Sequence, residues 1–343
     1  MKPSREIKRL LLPKETDSPI KLDSNYLSTG ITLLDLGAYG KINCGLAKGN
    51  IYRIAGNSGA GKTFLGRTIL AEAAKNKEFD DYELIYDDVE RGALMDTCKF
   101  FGQRLVDRLI PPTKTKTKTP IYSKYLSDFY EKIKRKLQSG KKLIWILDSM
   151  DALNPEKETK MGDGKAKVNS QNLRKLIDPL HESGSILIMV SQAKPDMMSM
   201  FGGEIASGGT SLLFYSTLDI WLKKFKTMKM TYKGHKVTTG VIIRATIKKN
   251  RLSGKDRTIY FPFSPSYGID DIGANIDYLT KWQHWEKEKN QILVPEFEFS
   301  GTREGLIAHT EEKQLQRELQ TIVGKVWNEV ETNCTIKRTP RYN

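Results

Sequence analysis

A glycine-rich segment constrains the fold of this chain more than any other sequence feature. Its eight residues are Gly56, Asn57, Ser58, Gly59, Ala60, Gly61, Lys62 and Thr63. They match every required position of the phosphate-binding loop motif, which works only between a strand and the helix that follows it. An apolar run at residues 50–54 precedes the motif, and a helical pattern at residues 64–75 follows it. The chain is therefore predicted to contain a strand, loop and helix unit that binds phosphate.

The residue types in this loop indicate a nucleoside triphosphate and a divalent cation as ligands. Its glycines allow the backbone N–H groups to point at phosphate oxygens, and the following helix presents its positive end. Lys62 is placed to neutralise charge on the β- and γ-phosphates, and Thr63 is placed to bind Mg²⁺. We therefore expect ATP and Mg²⁺ as cofactors.

A second metal ligand is expected at the end of another apolar run. Residues 143–147 indicate a buried strand that ends at Asp148, and we predict that Asp148 holds Mg²⁺ together with Thr63. An Asp followed by Ser149 also suits a helix cap. The phosphate-binding loop upstream favours the metal role over the cap.

Hydrolysis also requires a group that orients the attacking water. Glu90 follows the strand candidate at residues 83–86, where the carboxyl end of a parallel strand meets the ligand edge of the sheet. We predict that Glu90 is this group. Its neighbours Asp87 and Asp88 remain alternatives.

Strand and helix patterns alternate along the chain and predict an α/β fold. The buried-strand candidates are residues 50–54, 83–86, 143–147, 185–190 and 218–222. Helical stretches between several of them favour a mostly parallel central sheet flanked by helices.

Other segments complete this prediction. Residues 241–247 and 257–263 are rich in β-branched residues and predict an antiparallel hairpin at one edge of the sheet. Residues 125–137 predict a helix with one apolar face. The Thr-Lys repeat at residues 111–120 predicts an exposed loop or an irregular edge segment.

Charge indicates an anionic partner. Lys and Arg number 56 against 41 acidic residues, for a net charge of +15, which favours nucleic acid or an acidic membrane surface. The excess concentrates in residues 221–260 and 111–142, although runs of this kind also occur as solvated faces. The three cysteines match neither a zinc site nor a disulfide framework. Residues 1–13 have too few apolar residues for a signal peptide or a membrane span, so we expect a cytoplasmic protein without a membrane partner.

Together these motifs resemble the RecA family over residues 26–278, and the chain looks closer to phage UvsX-type recombinases than to bacterial RecA proteins. The segments that carry the resemblance, beside the phosphate-binding loop, are Ser28-Thr29-Gly30, Leu33-Leu34-Asp35, residues 86–92 and Ser191-Gln192. The resemblance implies a RecA-type ATPase core in which Glu90 activates water. It also implies that Gln192 senses the γ-phosphate and signals to a DNA-binding loop.

Two segments resemble the DNA-binding loops of the family. The first is residues 156–169, where lysines and glycines suit contact with phosphates rather than bases. The second is residues 193–209, where an apolar wedge between glycines suits insertion into a base step. The residues assigned to DNA are Lys160, Lys165, Lys167, Lys194, Met197, Met198, Met200, Phe201, Gly208 and Gly209. Met197, Met198 and Phe201 are also compatible with a core stripe.

The resemblance further assigns residues to contacts with the nucleotide. Lys249 and Arg251 would reach the ATP of a neighbouring subunit, where cations stabilise charge on the γ-phosphate and make hydrolysis depend on assembly. A solvated basic edge strand is the alternative. Tyr267, which precedes Gly268, would contact the adenine.

The organisation that follows is an N-terminal arm at residues 1–25, which is a candidate contact between protomers, an ATPase core at residues 26–280 and a small region at residues 281–343. The expected function is a DNA-dependent ATPase that forms a filament on single-stranded DNA and exchanges strands with a homologous duplex. A single-strand-binding protein and a loader are candidate partners. The alternatives are a ring-forming helicase or branch-migration motor, and an ATP-binding mediator.

Overall fold

A computed structural model describes residues 23–154, 163–195, 204–207, 209–339 and 341. Its strands are β1 Tyr26–Leu27, β2 Leu46–Ala47, β3 Ile51–Gly56, β4 Tyr82–Asp88, β5 Leu109–Ile110, β6 Thr113–Lys114, β7 Pro120–Ile121, β8 Lys142–Asp148, β9 Ile186–Pro195, β10 Glu204–Ala206, β11 Leu218–Tyr232, β12 His235–Asn250, β13 Arg257–Ser264, β14 Gly268–Ile269, β15 Glu286–Glu288, β16 Gln291–Val294 and β17 Phe299–Gly301. Its helices are α1 Thr32–Tyr39, α2 Lys62–Lys75, α3 Thr97–Phe101, α4 Gln103–Arg108, α5 Leu126–Gln138, α6 Asp163–Ser183, α7 Gly209–Tyr215, α8 Asp271–Lys281, α9 Arg303–Glu312 and α10 Gln316–Asn333.

The central sheet confirms the predicted α/β class. Its strand order is β14-β13-β12-β11-β3-β9-β8-β4-β5, and β10 pairs with the end of β9. Neighbouring strands from β11 to β5 are parallel, whereas β11 to β14 pair in antiparallel fashion. The predicted hairpin is therefore present as β12 and β13, on the antiparallel side of the sheet.

Burial explains why these segments form the sheet. The side chains of residues 143–147 in β8 are all inaccessible to solvent, as a central strand covered on both faces requires. Helix α5 turns Phe129, Ile133 and Leu137 toward the core, so its apolar face packs as predicted. Tyr125 precedes this helix as its N-cap.

The parallel strands place six connections at one edge of the sheet. The carboxyl ends of β11, β3, β9, β8, β4 and β5 all lie at this edge, because each strand is parallel to its neighbour. We call it the carboxyl edge. The phosphate-binding loop, the turn with Glu90 and both proposed DNA loops follow strands that end there, which is where ligands bind in such sheets.

Strand β11 is longer than the sequence predicted. Its buried part, residues 218–222, pairs with β3, but the strand continues to Tyr232 and pairs with β12 along an exposed extension. We call this extension, residues 223–240, the basic ribbon. Lys233 and Gly234 adopt positive φ values of 47° and 80° at its turn, as a tight hairpin turn requires. The prediction stopped at residue 222 because the apolar run ends there, and the mostly exposed residues that follow carry no burial pattern.

Two predicted loops are more regular than expected. Residues 163–169, which the prediction included in the first DNA loop, lie in helix α6. The helical spacing of the buried Leu173, Leu176 and Leu180 explains the helix to which they belong. The Thr-Lys segment forms a small antiparallel hairpin of β6 and β7.

The region after the core forms a three-stranded sheet, β15 to β17, with helices α9 and α10. Trp327 of α10 stacks on Tyr278 of α8 with ring centroids 5.8 Å apart, and Trp285 is buried. Trp282 remains 45% exposed. Among the residues described, no helix has the length and apolar character needed to cross a membrane.

Candidate functional site

The phosphate-binding loop joins β3 to α2 at the centre of the carboxyl edge. Gly59 and Gly61 have φ values of 68° and 89°, a region that favours glycine. A Cβ on Gly56 would lie 2.3 Å from the carbonyl oxygen of Leu222, so the close approach of β11 also requires glycine there. The predicted glycine positions are therefore explained by backbone geometry in this chain.

Lys62 is held inside the loop. Its Nζ donates to the carbonyl oxygens of Gly56 at 2.8 Å and Asn57 at 2.9 Å. The side chain is largely buried, and desolvation lowers the pKa of Lys62. Lys62 has few other partners, so its positive charge is held where the motif predicts the β- and γ-phosphates.

The predicted metal ligands meet directly. Thr63 Oγ1 donates to Asp148 Oδ2 at 2.7 Å, and the hydroxyl of Tyr86 donates to the same oxygen. Burial raises the pKa of Asp148. A hydroxyl and a carboxylate are hard oxygen ligands of the kind that Mg²⁺ prefers. No group of three or more His, Cys, Asp or Glu residues is arranged for a metal within the described part of the chain.

The structure distinguishes Glu90 from its acidic neighbours. Asp88 accepts hydrogen bonds from the backbone N–H groups of Gly92 and Ala93 and so shapes the turn. Asp87 is buried and accepts from the N–H of Ser123 at 2.8 Å. Both oxygens of Asp88 and one oxygen of Asp87 therefore make structural contacts.

Glu90, by contrast, contacts residues at the ends of two neighbouring strands, β8 and β9. Its Oε1 accepts from the hydroxyl of Ser149, the residue after Asp148, and from Nε2 of Gln192 at 3.4 Å. The strand ends of β4, β8 and β9 therefore bring Glu90, Asp148 and Gln192 together although they are distant in sequence.

The second proposed DNA loop is closed at its base by strand pairing. Residues 193–195 at the end of β9 pair with residues 204–206 of β10. Asp151, in the 3-10 turn Met150–Ala152, accepts from the N–H of Gln192 at 2.8 Å and from the hydroxyl of Ser207. The sequence prediction missed Asp151. The sequence signal that could have identified Asp151 was its position three residues after Asp148, at the end of a predicted strand.

Another missed residue connects this loop to the phosphate-binding loop. Glu204 of β10 accepts from Nδ2 of Asn57 at 3.0 Å and from Nζ of Lys223 at 3.2 Å. The hydrogen bond from Asn57 is the main cause that lowers the pKa of Glu204. Asn57 thus contacts the base of the second loop from within the nucleotide motif.

The predicted trans-acting cations contact their own subunit in this structure. Lys249 Nζ donates to the carbonyl oxygens of Leu213, at 2.5 Å, and Phe214, at 2.7 Å, at the end of α7. The guanidinium of Arg251 lies 5.7 Å from the ring centre of Phe214. Desolvation lowers the pKa of Lys249 to about 8. Both cations therefore lie against the helix that follows the second loop.

The predicted adenine contact, Tyr267, is next to a glycine that packs on α2, the helix after the phosphate-binding loop. Gly268 packs so tightly on the ring of Phe64, in the first turn of α2, that a Cβ would come within 2.6 Å of it. The neighbouring Tyr267 is 55% exposed and donates to Glu311 of α9 at 3.1 Å. Tyr267 is therefore one residue from the contact with α2, and its hydroxyl is held by α9.

The predicted DNA contacts are described only in part. Met197, Met198, Met200, Phe201, Gly208 and Lys160 lie outside the described residues. Lys165 and Lys167 belong to α6, and Gly209 begins α7. Lys194 lies on β9 with its Nζ 3.7 Å from Asp151. Their assignment to DNA stays a prediction.

Comparison of the sequence with known proteins identifies relatives of this chain. The family model described as the RecA N-terminal domain matches residues 14–270 of the 343. A protein named Protein RecA from Nitratiruptor sp. is 27% identical over 312 residues, which cover 87% of this chain and 84% of the relative. Protein RecA of Nautilia profundicola is 29% identical, covering 69% and 65%. A mitochondrial DNA repair protein recA homolog 3 of Arabidopsis thaliana is 30% identical, covering 69% and 53%.

Proposed function

Because the chain belongs to the RecA family, we propose that it is a DNA-dependent ATPase that assembles on single-stranded DNA and promotes pairing and strand exchange with a homologous duplex. The relatives named as RecA and as a DNA repair homolog support a role in recombination and repair. The likeness to phage UvsX-type recombinases belongs to this proposal. So do a cytoplasmic location and accessory single-strand-binding and loader proteins.

One observation carries the proposal. Glu90 and Gln192 are joined at 3.4 Å beside Asp148, and the N–H of Gln192 is bound at the base of the second loop. The residue proposed to orient water, the residue proposed to sense phosphate and the proposed DNA loop therefore share one hydrogen-bonded unit. An ATP-binding scaffold without turnover would not need this arrangement.

The roles of individual residues follow from their positions. Lys62 and the N-terminus of α2 bind the phosphates. Thr63 and Asp148 would hold Mg²⁺, which would supply positive charge next to the phosphates. Glu90 orients the attacking water toward the γ-phosphate and accepts a proton from that water.

Lys249 and Arg251 act across a subunit interface in this proposal. To do so they must exchange their contacts at the end of α7 for a neighbour's phosphates, which couples turnover to assembly. Their attachment to the helix after the second loop supports a link between DNA and this exchange.

The test measures ATP hydrolysis with and without single-stranded DNA over a range of protein concentrations. DNA should stimulate turnover with a cooperative dependence on protein, and negative-stain microscopy should show helical filaments. The double variant Lys249→Ala/Arg251→Ala should bind ATP but lose turnover by about 100-fold or more.

Other outcomes would contradict the proposal. Closed rings of fixed size with strand-displacement activity would indicate a helicase or branch-migration motor. Turnover that is absent or indifferent to DNA, with DNA binding retained in Glu90→Gln, would indicate an ATP-binding mediator.

A further inference from the structure

Both ends of the second loop meet at one carboxylate that the proposed chemistry does not use. Asp151 Oδ2 accepts from the N–H of Gln192 at 2.8 Å and from the hydroxyl of Ser207. Its Oδ1 lies 3.7 Å from Nζ of Lys194. Gln192 and Lys194 belong to the strand that enters the loop, and Ser207 follows the strand that leaves it. One side chain therefore joins the segment after Asp148 to both ends of the loop.

We propose that Asp151 is a positioning residue that transmits nucleotide binding to the second loop, and so determines how strongly ATP changes the affinity for DNA. This inference rests on the proposed function, because it assigns a role within ATP-dependent DNA binding. Asp151 acts through Gln192 and Ser207.

The geometry explains how such transmission works. The side chain of Gln192 contacts Glu90, while its main-chain N–H is bound by Asp151. If the side chain of Gln192 moves toward a γ-phosphate, it pulls on the main-chain N–H of the same residue. The acceptor of that N–H is Asp151, which is fixed two residues after Ser149. Hydrogen bonds to a carboxylate are about twice as strong as neutral ones. The strain passes to Ser207 because the same oxygen holds its hydroxyl.

A purely structural role for Asp151 is less consistent with its surroundings. The 3-10 turn that carries it closes through its own backbone, from the N–H of Ala152 to the carbonyl oxygen of Ser149. The base of the loop is closed independently by the pairing of β9 with β10. The N–H of Ser207 also donates to the carbonyl oxygen of Gln192 at 3.1 Å. Loss of the carboxylate therefore leaves the local fold with its main supports.

The experiment compares the affinity for a fluorescein-labelled oligothymidylate in ADP and Mg²⁺ with that in a slowly hydrolysed ATP analogue and Mg²⁺. The ratio of the two Kd values measures the coupling, and ratios between about 5 and 150 are typical of allosteric proteins. The ratio of Asp151→Ala should fall to within about threefold of one. Asp151→Asn should keep most of it, because the amide oxygen accepts the same two hydrogen bonds.

Two further variants separate positioning from general damage. Ser207→Ala should reduce the ratio, and the double variant Asp151→Ala/Ser207→Ala should be no worse than Asp151→Ala, because residues that share one contact are not additive. Asp178→Ala removes an exposed carboxylate of α6 and should keep the wild-type ratio. Thermal unfolding and analogue affinity confirm that each variant is folded.

The outcomes distinguish the two proposals. Wild-type coupling in folded Asp151→Ala, or additive losses in the double variant, would overturn the role of Asp151 and leave the proposed function standing. A wild-type ratio of one would overturn the proposed ATP-dependent DNA binding, and the role of Asp151 with it.

Discussion

The phosphate-binding loop and the basic ribbon lie at the same edge of the sheet but hold their lysines differently. Lys62 is buried and has both of its carbonyl contacts within its own loop. The ribbon carries six lysines and no acidic residue in residues 223–240. Among the described residues, only Lys223 of the ribbon forms an ion pair, with Glu204.

This difference separates two kinds of anion recognition. A buried cation in a fixed backbone frame binds one phosphate group in one geometry, so its removal cannot be compensated by neighbours. Exposed lysines bind a polyanion through counterion release, in which each cation contributes a similar small share and salt competes. The comparison predicts a large, localised effect at the loop and a graded, salt-dependent effect at the ribbon.

The largest expected effect is at the loop. Lys62→Ala should lower ATP turnover by about 100- to 1,000-fold, because a preorganised charge is lost from a water-poor site. Steady-state ATPase assays measure this, and the exposed control Lys289→Ala should be unchanged. Turnover within tenfold of wild type would show that Lys62 is not essential to the mechanism. It would also contradict the predicted difference between the loop and the ribbon.

The ribbon should show a smaller effect of a different form. Lys226, Lys229 and Lys233 are exposed, and replacing all three with Gln should weaken DNA binding by about tenfold at moderate salt. The slope of log Kobs against log salt should decrease by about 0.7 for each lost contact with a single strand. Turnover without DNA should not change. Lys224 is not replaced, because its Nζ lies beside Gly59 of the phosphate-binding loop. A Cβ on Gly59 would be 2.8 Å from this Nζ.

The matched control for the ribbon removes the same charge elsewhere. Lys281, Lys289 and Lys313 are exposed and lie outside the ribbon. If their replacement by Gln changes the salt slope equally, the ribbon has no special role and net charge explains the affinity.

A moderate effect is expected where a neighbour supports the metal carboxylate. The hydroxyl of Tyr86 donates to Asp148, and Arg67 stacks on its ring at 4.2 Å. Tyr86→Phe keeps the ring and removes the donor, so the Mg²⁺ concentration for half-maximal turnover should rise by about tenfold. A Mg²⁺ titration of ATPase activity measures it. Tyr82→Phe is the control, because its hydroxyl donates to Gly184 instead, and an equal shift in both variants would contradict the role of Tyr86.

The smallest effect concerns pH and the buried side of the site. Burial raises the pKa of Asp87 from 3.8 to about 6, and its Oδ2 has no hydrogen-bond partner among the residues that the structure describes. The folded state then retains a proton that the unfolded chain loses, so this residue makes the free energy of unfolding fall as pH rises from about 4 to 6. Asp87→Asn should flatten that interval in denaturant titrations. An unchanged slope would show that Asp87 is already ionised at pH 4, and ribbon variants should leave the slope unaltered.

Much of the site was predictable because local patterns encode it. The glycines of the phosphate-binding loop, the strand that ends at Asp148 and the strand before Ser191-Gln192 each depend on short-range rules of backbone geometry and burial. The core stripe of α5 and the hairpin of β12 and β13 were predicted for the same reason. The extension of β11 was not, because its side chains are mostly exposed and therefore carry no burial pattern.

The sequence by itself determined the α/β class, the phosphate-binding motif and the order of its candidate partners along the chain. Only the tertiary structure decided that Glu90, rather than Asp87 or Asp88, faces Gln192, that Lys249 rests on α7, and that Asp151 joins both ends of the second loop. The physical reason is that residue patterns specify local conformation and burial, whereas contacts between distant strand ends depend on sheet order. That order follows from packing of the whole domain.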